Sequence, residues 1–216
     1  QGCTPQSGVE HSLTCGVSGL SFAALADRSD AELGITREVQ DQWALRSQQR
    51  ASEADFRSTG EVFAVPSRGT EHIRDEGIRP GSTIEKLRSL APVCGPSGTV
   101  TAGNASQIAD GASVGLVGTL AMAKELGTTP LARIVAWGYS SGPGASLHLE
   151  PARASRALLK RARLSPSDID LWEINEAFAG VVIASVADLH INPEIVNPNG
   201  GAIALGHPNS AAGFRL

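Results

Sequence analysis

The chain has 216 residues, 41% hydrophobic and 19% charged, a balance that suits a globular chain with one or two cores. A net charge of −4 leaves no basic footprint for nucleic acid, and no apolar run reaches the roughly 18 residues of a membrane-spanning helix. With 24 glycines and only 4% aromatics, tight layers of small side chains are favoured over an aromatic-rich sandwich. Residues 1–34 are rich in Gly, Ser and Thr and show little periodicity. The stretch Gln1 to Ser12 lacks the basic start and apolar run of a secretory signal, and an opening Gln in place of Met points to a piece or a processed product. Cys3, Cys15 and Cys94 have no metal-type spacing. They fit a reduced, cytoplasmic setting.

The first clear element is a helix from Thr36 to about Asp55. Thr36 is its N-cap, Glu38 suits the positive helix start, and Val39, Trp43 and Ser47 share a face. Glu61 to Val65 reads as a strand stopped by Pro66. The string Ser82-Thr83-Ile84-Glu85 is a capping box, and its short helix ends before Pro92. Beyond Gly98 the pattern changes. Thr99 to Ala102 and Ala112 to Val117 read as buried strands. Leu120 to Leu126 reads as a helix closed by Gly127. Leu131 to Trp137 follows as a strand, and Pro151 to Arg163 as a helix with Pro in its first turn. Its basic residues, Arg153, Arg156, Lys160, Arg161 and Arg163, fit a solvated face. Asp170 to Ile174 is a strand, Glu176 to Leu189 a largely apolar helix, and Gly201 to Leu205 a last buried strand before a helix near Pro208. Alternating strands and helices predict an α/β layered fold.

Three segments carry the chemistry. In the last of them a run of small and aliphatic residues enters Gly206, His207 and Pro208. A His at a helix start is disfavoured as a cation, and a neutral imidazole can act as general base or oxyanion donor. It can equally be a helix cap. Asn175 follows a strand end, where α/β folds gather ligand-binding groups. It could hold an oxyanion, or cap the next helix. Glu176 could be a base or a first-turn acid suited to the helix dipole. Phe178 could wall a pocket or fill the core. Asn104 and Ser106 lie in a Gly-containing loop, where they could bind an extended amide or simply make a turn.

In this order and spacing, the strings TVTAGNAS (99–106), PLARIV (130–135), DIDLWEINEAFA (168–179) and VNPNGGAIALGHP (196–208) resemble the motifs of the thiolase family. ITREVQDQWALRSQQRA (35–51) resembles the helix of the family's inserted loop domain. The resemblance runs from about residue 34 to the last residue. It implies two similar α/β halves in an αβαβα arrangement, present here incompletely, with a loop domain that receives coenzyme A. The implied division is 1–98 loop domain, 99–127 end of the N-terminal domain and 128–216 C-terminal domain.

The implied activity is acyl-CoA acyl transfer. Two acyl-CoA molecules condense, or coenzyme A cleaves a 3-ketoacyl-CoA, with covalent catalysis splitting the step. By motif, His207 resembles the histidine that activates the nucleophile and helps form an oxyanion hole. Asn175 resembles the asparagine holding a catalytic water. Ala102 and Ser106 resemble positions meeting the pantetheine arm, and Phe178 an apolar wall of the same tunnel. No metal or cofactor is implied; coenzyme A thioesters are substrates. The expected partners are acyl-CoA or coenzyme A, together with a second copy or a complementing thiolase half, with neither nucleic acid nor membrane.

The chain departs from the family at its cysteines. Neither the nucleophile motif nor the later Cys-x-Gly segment has a clear match, so the chain by itself is expected to be inactive. The string Thr14-Cys15-Gly16-Val17-Ser18-Gly19 faintly resembles the nucleophile motif, with one residue too many. By position it better matches a loop-domain segment near coenzyme A. Asn209 to Ala212 replaces the usual apolar residue and Gly after the Gly-His-Pro motif. A β-ketoacyl synthase would carry a second His motif, and none is found. The alternative reading is a non-catalytic thiolase-like protein that binds acyl-CoA or a partner subunit.

Overall fold

The computed structural model describes residues 13–67, 69–142 and 147–216. Cys3 and the expectations for residues 1–12 lie outside them.

Helix α1 spans Phe22–Leu33, with the Ser21 hydroxyl accepting from the Ala24 N–H and Gly34 closing the helix at φ 67°. No periodic stripe announces it, because its buried face mixes Leu25 and Ala26 with Ser29 and Asp30. Helix α2 spans Arg37–Glu53 and is capped by Thr36 as the sequence predicts. Its buried stripe includes Gln40, Asp41, Ser47 and Gln48 beside Trp43, Ala44 and Ala51, whereas Val39 is exposed. Those polar groups are buried because they hold other segments. Gln48 donates to the Ile203 carbonyl and accepts from the Arg79 N–H. Arg37 pairs with buried Asp41 at 2.8 Å.

The expected strand at 61–65 is shifted. Strands β1 (Val65–Ser67) and β2 (Thr70–His72) form an antiparallel hairpin in which Pro66 faces Glu71. Proline is tolerated in so short an edge strand. Helix α3 spans Ile84–Arg88, and Thr83 caps it in place of Ser82, accepting from the Lys86 N–H. Helix α4 spans Leu120–Glu125, capped by Thr119.

Among the described residues, the strands expected at 99–102, 112–117 and 131–137 do not form. The N–H groups of Thr99 and Val100 donate to the Asp27 carboxylate, so they are not available to a neighbouring strand. Val114, Leu116, Ile134, Val135 and Trp137 are exposed. An apolar segment becomes a buried strand only when other strands and layers cover it, and these residues lack that cover within the described chain.

The C-terminal part forms the core. Helix α5 (Glu150–Ala162) has Pro in its first turn and ends on Arg163 in the left-handed region. Helix α6 spans Ala179–Leu189 and is buried on most sides. Both pack together, and α6 also meets α1 and α2. Between them, Trp172, Ile174 and Glu176 point inward, while Glu173 and Asn175 occupy the other face. The expected strand there reduces to one parallel bridge, Trp172 with Val196. The apolar cluster joins Trp43, Leu87, Leu159, Trp172, Ile174, Val182, Val196 and Ile203.

Residues 202–205 are helix α7 (Ala202–Leu205), not the expected strand. Leu205 N–H bonds the Gly201 carbonyl, and the Ile203 N–H at the helix start is taken by the Glu176 carboxylate. Helix α8 is Ala212–Arg215, later than expected. No helix among the described residues is long and apolar enough to cross a membrane.

Candidate active site

Asn175 and His207 are brought together by the packing of α7 against α2. The Asn175 side-chain nitrogen lies 3.3 Å from His207 Nε2. An amide donor facing Nε2 requires a neutral ring with its proton on Nδ1. His207 favours that state: its pKa lies below 6.5, chiefly through burial and then through the positive charge of Arg215. The helix dipole expected from the sequence is not the cause, because His207 stands well ahead of α8. Nor is either residue a helix cap, since α6 starts at Ala179 after Phe178.

Local backbone fixes both positions. Gly206 has φ 81°, and the Arg215 guanidinium donates to its carbonyl at 2.9 Å. The His207 N–H donates to the Gln107 carbonyl at 2.9 Å. On the facing segment, Ser106 N–H bonds Ala177 O and Ala179 N–H bonds Asn104 O, both at 2.9 Å. Ala105 and Phe178 pair across this short antiparallel junction. Ser106 and Phe178 therefore sit in the same junction as Asn175. Asn104 has a structural task instead: it is buried, and its side chain bonds Thr101 N–H, Asp41 and Thr99 O.

Glu176 is not placed to act as a base. It is 1% exposed and its carboxylate accepts from Trp43 Nε1, Ser47 Oγ, Asn197 Nδ2 and Ile203 N–H. Glu173, on the face of Asn175, is pushed up to about 7 by burial and by the charge of Glu176, against the pull of Arg215. Asp75 is raised by burial, again opposed by Arg215. Buried Asn175 Oδ1 and His207 Nδ1 have no hydrogen-bond partner among the described residues.

A cavity of about 320 Å³ adjoins this cluster, lined by Arg79, Lys86, Leu87, Leu90, Ala102 and Gln107 among others. Ala102 is thus at the cavity. Gln107 connects the two places, since it lines the cavity and accepts the His207 N–H. Sequence reasoning singled out none of Arg79, Lys86 or Gln107. Two cations 7 positions apart in a loop and a short helix carry no local pattern. The cavity joins a cationic side to an apolar wall, a shape and charge that fit an anionic ligand with a long uncharged arm.

Cys15 lies in a tight turn ahead of α1, closed by Gly19 N–H on the Cys15 carbonyl at 2.8 Å. Hydrogen bonds from Ser18 lower its thiol pKa. Cys94 is exposed and in no disulfide among the described residues.

The family model for the thiolase N-terminal domain matches residues 4–120, and that for the thiolase C-terminal domain matches 128–216. A probable acetyl-CoA acetyltransferase of Mycobacterium tuberculosis (strain ATCC 25618 / H37Rv) is 43% identical over 201 residues, 90% of this chain and 51% of that one. The crystal structure of the Bacillus anthracis acetyl-CoA acetyltransferase superposes with a TM-score of 0.89 at 35% identity, over 100% of this chain and 56% of that one. Human mitochondrial 3-ketoacyl-CoA thiolase in complex with CoA superposes with a TM-score of 0.87 at 37% identity, over 97% and 53%. The chain spans about half the length of these relatives. The α/β thiolase fold expected from the sequence is therefore the fold of these residues, present in part, and the chain belongs to the thiolase family.

Proposed function

We propose that this site serves thiolase-type acyl transfer on coenzyme A thioesters, either the reversible condensation of two acyl-CoA molecules or the thiolysis of a 3-ketoacyl-CoA. The observation that carries the reading is the Asn175–His207 pair, 3.3 Å apart, with its buried Asn175 Oδ1 and His207 Nδ1 unpartnered among the described residues. Neutral His207 would take the proton of a thiol nucleophile on Nε2, the nitrogen that the Asn175 amide faces in the ligand-free chain and would have to release. Asn175 would hold the water that donates to the developing oxyanion. Arg79 and Lys86 would meet the phosphates of coenzyme A, and Ala102, Ser106 and Phe178 the pantetheine arm. The human relative's solved complex with CoA supports that ligand class.

Neither cysteine motif of the family has a clear match in this chain, so the chain alone would bind the thioester without turning it over. The second reading is a non-catalytic protein that binds acyl-CoA or a partner subunit. The reading carries with it the division into a loop domain (1–98), the end of an N-terminal domain (99–127) and a C-terminal domain (128–216). It also carries a cytoplasmic role in fatty acyl metabolism, without metal or cofactor. Exposed Val114, Leu116, Ile134 and Trp137 support association with a second copy or a complementing thiolase half.

Calorimetric titration with coenzyme A tests the ligand. Binding with a Kd between about 1 µM and 1 mM is expected, weakened about tenfold or more in Arg79→Ala. No binding at millimolar coenzyme A overturns the proposal.

A further inference from the structure

We propose that Glu176 is a positioning residue: its buried carboxylate sets Asn175 against His207. The functional weight of this rests on the thiolase reading above, but the geometry stands without it.

Glu176 neighbours Asn175 in the chain, and its Oε2 accepts the N–H of Ile203 at 3.2 Å, four residues before His207. One carboxylate therefore grips both segments. Its remaining capacity goes to helix α2, with Ser47 Oγ at 2.6 Å and Trp43 Nε1 at 2.9 Å. Asn197 completes the set: it donates to Glu176 at 3.1 Å and brackets Ile174 through its N–H and carbonyl at 2.8 Å. Ser47 also accepts the Gly201 N–H at 3.0 Å. Four donors converge on two oxygens, and no base is left over. Such a carboxylate has one stable arrangement, because moving it strands several buried polar groups together. Space enforces the same arrangement, since a Cβ at Gly201 would collide with the Glu176 carboxylate.

Tertiary structure could have joined these segments with apolar side chains alone. Charge-assisted bonds have narrower geometry, which is the property a hydrogen-bonded catalytic pair needs. A Gln at this position keeps the volume but presents an amide N–H₂ to two of the four donors. An Asp falls a methylene short.

The test uses the ligand-free chain, so it is independent of whether acyl-CoA binds. His207 is titrated by imidazole NMR, and the Asn175 side-chain amide is followed in the same spectra. The Asn175 donor stabilises the neutral ring, and its loss raises the midpoint. In Glu176→Gln the His207 midpoint should rise by about 0.3 pH unit or more, with a moved Asn175 amide signal. Trp43→Phe deletes one donor on α2 that bonds Glu176 alone, and Ser47→Ala deletes a second donor together with the acceptor of the Gly201 N–H; both should shift the two signals in the same direction by less. They keep the test open if Glu176→Gln does not fold. His148→Ala is the control: it weakens the core away from Glu176 and should leave both signals in place. If the Glu176, Ser47 and Trp43 variants fold and melt lower but keep the wild-type midpoint and amide signal, Glu176 is a core anchor only and the proposal fails. Failure of the thiolase reading would show elsewhere, as lost coenzyme A binding with the His207 shifts intact.

Discussion

Asn175 and His207 stand 32 positions apart in the chain, and their side-chain nitrogens are 3.3 Å apart in the fold. The contact joins the turn before α6 to the turn after α7. Nothing local produces it; α2 holds the two segments through Trp43, Ser47 and Gln48.

His207 should titrate below 6.5, since burial first and Arg215 second disfavour its cation. The sign follows from linkage: a His depressed in the fold adds stability above its unfolded pKa and loses it as pH falls through the window beneath 6.5. Arg215→Gln should raise the midpoint. An NMR midpoint at or above 6.5 in the parent chain contradicts the burial described.

Glu173 works in the opposite direction. Its carboxyl is raised from 4.5 to about 7, so the fold holds its proton more tightly than the unfolded chain does. Stability from this group is complete below 4.5 and is lost as pH rises through about 7. Urea melts should therefore give a falling contribution across that window, and Glu173→Gln should flatten it. An unchanged slope in the variant would remove Glu173 as its source.

Buried Asp30 and His148 are 2.8 Å apart, each at most 1% exposed, and Thr99 Oγ1 also donates to Asp30 at 3.0 Å. Removing the imidazole takes a hydrogen-bond partner from buried Asp30, so His148→Ala should cost about 1–3 kcal/mol by chemical denaturation. Thr99→Ala should cost about 1 kcal/mol. Gly180→Ala should be worse than either, because its Cβ would collide with both members of the pair. A His148→Ala cost well under about 1 kcal/mol would show that the pair adds little to stability.

The chain alone should show no acetoacetyl-CoA thiolysis above the uncatalysed rate. His207 then has no matched thiol to activate. Steady turnover that disappears in Cys15→Ser would make the lowered thiol of Cys15 the nucleophile.

Helices were legible where their signals are local. Thr36 caps α2 as its sequence indicates, and the proline of α5 lies in its first turn. Asn175 and His207, which the fold brings into contact, were singled out through motif resemblance, which also carried the fold. The strands were not. Residues 112–117 and 131–137 have strand-like composition, but pairing is a property of a partner, and among the described residues they have none. Ala202–Leu205 is an apolar run too short for periodicity to separate helix from strand. The two α2 donors to Glu176 and the Asp30–His148 pair join residues more than 100 positions apart, and no spacing rule reaches that far. Arg79 and Lys86 became visible only when the cavity between them was formed.

The most direct measurement follows the His207 imidazole and Asn175 amide by NMR while acetyl-CoA is added to this chain. If the pair faces the thioester, both signals should shift saturably, at the concentrations that perturb the residues around Arg79 and Lys86. The same shifts should weaken in Arg79→Ala. Saturable change around Arg79 and Lys86 with His207 and Asn175 unmoved would place the ligand away from the pair and contradict the assignment of this site.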